Sequence, residues 1–110
     1  MYKIVAFWSA PKKSDIEAFE RYYADVHVPL AALLPALRKL ELTKVDAGIE
    51  GAVAPFYRVA ELTFDNAEEM KRSSETAQWR AMRADAAKML ERFGVTLAVG
   101  VGTPIDVLPK

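Results

Sequence analysis

Apolar residues along this chain recur with two periods, and the alternation between them marks out the elements. Tyr2 to Trp8 is a run of β-branched and aromatic residues ended by Ala10-Pro11, which predicts a first strand. Ile16, Phe19, Tyr23, Val26, His27 and Leu30 then recur at three- and four-residue spacing, one face of a helix. Ser14 and Glu17 have capping-box spacing, so the Ser14 hydroxyl is expected to accept from the Glu17 amide. Pro29 cannot donate a backbone bond and disfavours helix at Val28, so the helix is expected to end or kink at His27. Arg38 to Asp46 alternates around Leu40 and Leu42 and carries many charges, the mark of an edge strand. Residues 47–55 form a loop with two glycines and a proline, and Phe56 to Phe64 alternates as a third strand.

Asp65 or Asn66, followed by Glu68 and Glu69, starts a further helix, with an interruption at Ser73-Ser74. Trp79, Met82, Ala86, Met89, Leu90 and Phe93 share one face of the next helical run, which Gly94 stops. Val95 to Val101 is a fourth strand, with Val95, Leu97, Val99 and Val101 on one side and Ala98 and Gly100 on the other; Thr103 to Lys110 is an irregular tail. The order β-α-β-β-α-β predicts an α+β, ferredoxin-like domain spanning residues 1–110, with a four-stranded antiparallel sheet and both helical layers on one face.

Helices on one face should leave the other face polar. The strands do not obey. Strand one sets Ile4, Ala6 and Trp8 against Val5 and Phe7, and strand three sets Phe56, Ala60, Leu62 and Phe64 against Tyr57 and Val59. A second apolar face implies a homodimer through sheet-to-sheet packing. The competing arrangement is a monomer whose tail folds over the sheet.

Composition narrows the function classes. The 110 residues carry no net charge, which argues against nucleic acid and against a polybasic membrane anchor. There is no cysteine, hence no thiolate chemistry, disulfide or cysteine metal site, and no apolar run long enough to span a bilayer. The N-terminal stretch does not resemble a signal peptide, and a cytoplasmic location is expected.

His27 is the chain's single histidine and the first candidate for chemistry, as a general acid or base in a cleft between helix and sheet. The bland alternative is a core histidine whose ring donates to a carbonyl freed by Pro29. Asp25 is turned roughly 200° from it along a helix and is no natural orienter. Arg38, Glu61 and Asp85 are the candidate partners, and the sequence does not choose among them. Arg38 could bind a carboxylate or enolate, or be an exposed edge-strand charge. Trp8, Phe19, Tyr23, Tyr57 and Trp79 could line a site for a small apolar, ring-shaped ligand or be ordinary packing. No metal or cofactor site is expected: one histidine and scattered carboxylates lack ligand spacing, and no nucleotide-binding glycine motif exists. The charges from Glu68 to Arg72 and from Arg80 to Lys88 read as solvated helix faces.

The N-terminal strand, Phe19-x-x-x-Tyr23-x-x-x-His27-x-Pro29-Leu30, Leu34-Pro35-Ala36-Leu37-Arg38, the segment Ala60 to Asn66 and the Trp79 helix together resemble the EthD family, named for ethyl tert-butyl ether degradation. The resemblance covers nearly the whole chain. It implies the dimeric α+β barrel fold, whose members include cofactor-free monooxygenases, isomerases, small decarboxylases and cyclases, haem-degrading enzymes and stress-response proteins. The expected function is a small cofactor-independent enzyme acting on a small apolar or aromatic metabolite by oxygenation, isomerisation or decarboxylation, an oxidoreductase of the monooxygenase kind or an isomerase, in which His27 moves a proton and Tyr23 or Arg38 steadies an anion. The alternatives are a non-catalytic ligand-binding or accessory protein and a purely structural dimer with a filled interior.

Overall fold

In the computed structural model, which describes all residues Met1–Lys110, four strands form one antiparallel sheet. They are β1 (Tyr2–Trp8), β2 (Lys39–Lys44), β3 (Arg58–Phe64) and β4 (Leu97–Gly102), in the spatial order β2-β3-β1-β4. The helices are α1 (Ile16–Tyr22) and α2 (Val28–Ala32), joined by a π-helical turn (Tyr23–His27), and α3 (Ala67–Ser74) and α4 (Ala77–Phe93). This is the ferredoxin-like arrangement. The charged strand β2 lies at one edge of the sheet, as its composition requires, and β4 lies at the other.

Helix boundaries follow local chemistry. The Asn66 side chain accepts from the Glu69 amide at 2.8 Å and starts α3. The chain breaks after Ser74, and the Thr76 hydroxyl accepts from the Trp79 amide at 3.2 Å to start α4. Gly94 ends α4 in the left-handed region, φ 64°, which a residue without Cβ adopts at little cost. The expected Ser14–Glu17 capping box does not form. Lys13–Asp15 is already a 3₁₀ turn leading into α1, so Ser14 sits inside the helical winding rather than at its cap.

Of the end or kink expected at His27, the structure shows no end but an irregular π-helical turn that closes there. The helical path runs on through Pro29 because the turn before it widens. The Val28 amide bonds the Tyr23 carbonyl five residues back, and Pro29 falls in the first turn of α2, where a missing N–H is tolerated.

Ile4, Ala60, Leu62 and Phe64 pack with Ala31, Leu34 and Met82 in one buried cluster; Trp8, Phe19 and Tyr23 pack with Ala86, Met89, Phe93 and Val95 in another. The opposite face of the sheet is open and is not uniformly apolar. Phe7, Val59 and Ala98 occupy one end and Lys3 with Thr63 the other; between them Val5 lies opposite Glu61, which pairs with Lys3 at 2.6 Å and neighbours Glu41. Phe56 belongs to this open face, 4.5 Å from Phe7 between ring centroids, whereas Tyr57 packs on Phe19 at 5.7 Å on the helix side. That reverses the sides expected for both residues. The chain bends at Pro55 and Tyr57, and regular alternation begins only at Arg58. The tail beyond Gly102 does not cover the open face: Ile105, Val107 and Leu108 are almost fully exposed.

Candidate active site

A cavity of about 300 Å³ opens between the sheet and the helices. Its origin is a set of alanines. Ala6 of β1 pairs with Ala60 of β3 and lies beside Val99 of β4, while Ala31 of α2 and Ala86 of α4 also line the space. Side chains ending at Cβ leave unfilled the volume that Leu or Ile would occupy in a close-packed core. Its walls draw on both core clusters and on Leu40, Leu42, Met70 and Leu97. Of its 19 lining residues 17 are hydrophobic, which leaves His27 and Arg83 as the polar exceptions.

His27 is 8% exposed and closes the π-helical turn. Its Nδ1 lies 2.9 Å from Oδ2 of Asp85 on α4, itself 6% exposed. The Tyr22 hydroxyl donates to the other carboxylate oxygen at 2.5 Å. An ionised carboxylate only accepts, so Nδ1 carries a proton toward it, and in the neutral form of the ring Nε2 is the unprotonated nitrogen. No protein group hydrogen-bonds Nε2, and the ring stands on the cavity wall. Trp8 meets it edge-to-face, with centroids 5.3 Å apart, and Tyr23 stacks on it at 6.1 Å. The carbonyl-bound histidine considered from sequence is thus replaced by a carboxylate-bound one, and Asp85 is the partner among the three candidates. The bond to Asp85 raises the Tyr22 phenol above its ordinary value, so Tyr22 stays a neutral donor.

Trp8, Trp79 and Tyr23 line the cavity. Burial pushes the Tyr23 phenol up to about 12; its hydroxyl is enclosed without a hydrogen-bond partner, and the Arg58 guanidinium lies over its ring at 5.2 Å. Arg58 in turn pairs with Glu20, its Nε 3.2 Å from Oε2. Burial pushes the Glu20 carboxyl up, but the Arg58 bond, Tyr57 and the charges of Arg58 and Lys44 together outweigh it and hold the group below its usual range. Phe19 and Tyr57 are set behind the wall, in the packing around Trp8. Arg38 lies outside the cavity: it is exposed and its Nε donates to Asp65 at 2.9 Å. Asp25 is exposed, consistent with its turn away from His27. No group of three or more His, Asp or Glu side chains is placed to hold a metal ion.

The EthD domain model matches residues 12–92, which include the His27 turn and most of α4. The chain belongs to the EthD family. Among solved structures, this EthD protein resembles an EthD family protein from Bacillus halodurans C-125 with a TM-score of 0.71 and 25% identity, over 91% of this chain and 96% of that one. It is 27% identical to an 11.0 kDa protein from the thcB-thcC intergenic region of Rhodococcus erythropolis, over 88% of this chain and 90% of the relative. The cofactor-independent oxygenase SnoaB of Streptomyces nogalater shares the fold, with a TM-score of 0.66 and 16% identity over 99% of this chain and 97% of that one. No helix of this EthD protein is long and apolar enough to cross a membrane.

Proposed function

We propose that this EthD protein is a small cofactor-independent enzyme that moves a proton on a small apolar or aromatic metabolite bound in the cavity. The observation that carries the reading is the His27–Asp85 pair, with Nε2 unpartnered and the ring on the wall of a cavity whose lining is otherwise apolar but for Arg83. Asp85 holds the ring in one tautomer and stabilises the imidazolium once it forms. His27 Nε2 takes the proton from a carbon next to a carbonyl, and the bonding pair moves into the substrate as an enolate. Return of the proton to another carbon is isomerisation; reaction of the enolate with dioxygen, the electron acceptor, is oxygenation. The fold shared with a cofactor-independent oxygenase is compatible with the second outcome. The test uses 2-tetralone, a bicyclic ketone with an activated CH₂ group. The protein in D₂O is expected to exchange its C1 protons above the buffer rate, followed by proton NMR. Binding of the ketone without exchange would leave a ligand-binding or accessory protein.

The functional unit in this proposal is a homodimer whose open sheet faces pack together. Support comes from the apolar end of that face (Phe7, Phe56, Val59 and Ala98) and from a tail that leaves it uncovered. Light scattering in dilute buffer is expected to give about twice the chain mass of 12.2 kDa. A mass of one chain would contradict the dimer.

A further inference from the structure

Besides His27, Arg83 is the one polar side chain on the cavity wall, and it lacks the partner that most arginines of the chain have. Arg21, Arg38, Arg58 and Arg72 each pair with a carboxylate, and Arg92 lies over the Tyr22 and Phe93 rings; Arg80 is also unpaired but does not line the cavity. Arg83 has neither an ion-pair partner nor an aromatic face. It is exposed, so it stands at the rim, one residue along α4 from the buried Met82 and one turn from Trp79. No acidic residue lines the space.

We propose that Arg83 is the specificity determinant of this cavity, selecting ligands with an apolar, ring-sized body and one anionic group, a carboxylate or phenolate. The body fills the alanine-lined space and the anion stays at the rim on the guanidinium, whose planar fork matches a carboxylate. An apolar wall gives affinity but little orientation; the ion pair fixes which end of the ligand points inward, toward His27 Nε2. The inference rests on the cavity being a ligand site, and the experiment separates the two ideas.

Two isosteric probes are titrated calorimetrically: 2-naphthoate and its neutral counterpart 2-acetylnaphthalene. The wild-type protein is expected to bind naphthoate about tenfold more tightly, the size of one charge-assisted contact, with the preference falling as salt rises. Arg83→Met is expected to abolish that preference while changing the ketone's affinity less than about twofold. Arg83→Lys, which keeps the charge and loses the fork, is expected to fall between them. Equal affinities in the wild type, or an unchanged preference in Arg83→Met, would overturn the role of Arg83 and leave the cavity a neutral apolar site. Failure of both probes to bind would overturn the ligand site itself and Arg83's role with it.

Discussion

Replacing His27 by glutamine is expected to lower the rate of 2-tetralone proton exchange by at least about 100-fold, the lower range for loss of a positioned general base. Glutamine cannot take the proton, yet its amide can still donate toward Asp85. The melting temperature is therefore expected to stay within a few degrees, because the buried carboxylate keeps donors in Tyr22 and the amide. Affinity for the ketone should also persist, since the cavity walls are unchanged. A paired loss of folding and exchange would instead mark His27 as a structural group; unchanged exchange would remove it from the chemistry. Thermal unfolding and exchange measured on the same preparation check both outcomes.

The second large effect is at Asp85. Asp85→Asn conserves shape, but the amide can donate to the ring as well as accept from it. The tautomer with the proton on Nε2 then becomes accessible, and its nitrogen facing the cavity is no longer a base. Exchange is expected to fall by about 10² or more, with modest change in stability. Asp85→Ala is expected to behave differently. It leaves the His27 N–H and the Tyr22 hydroxyl without their acceptor in a buried site, at a cost of about 2–3 kcal/mol, or a melting point lower by about 10 °C. If the asparagine variant kept full exchange, Asp85 would be a packing partner of His27 and not what positions it.

Much of the fold was legible because its signals are local. The period-two runs of β1 and β3, the caps at Asn66 and Gly94 and the break after Ser74 each depend on neighbouring residues, and each lies at or near its expected place. The misreadings came where the backbone leaves the regular path that periodicity assumes. Pro29 argues against a helix by itself, but a widened turn between Tyr23 and Val28 accommodates it. Phe56 and Tyr57 exchanged faces because the chain bends before β3 starts, which alternation cannot register.

At the site, His27, Tyr23, Trp8 and Trp79 were identified from residue type and stripe position, and the structure brings all four to one cavity. Arg38 was attractive as a cation near the helix, yet it stands just before β2 at the end of the sheet, paired with Asp65 outside the cavity. Asp85 was one of three candidates, and a stronger signal was present. It stands three residues after Met82 and four before Met89, so it falls on the buried stripe of α4, where a carboxylate must be paired. The cavity had a signal too. Alanines at 6, 31, 60 and 86 all fall on core-facing positions, but only the tertiary packing places them opposite one another. Arg83 read as one more solvated charge, because its lack of a partner is visible only once every neighbour is placed.

The central claim is that Asp85 fixes His27 with an unprotonated Nε2 facing the cavity. With a single histidine in the chain, long-range proton–nitrogen correlation NMR reads that ring without assignment ambiguity. For the neutral ring the account predicts the proton on Nδ1, an unprotonated Nε2, and a shift of the Nε2 resonance when 2-acetylnaphthalene fills the cavity. A ring carrying its proton on Nε2, or an Nε2 resonance indifferent to the bound ketone, would contradict it.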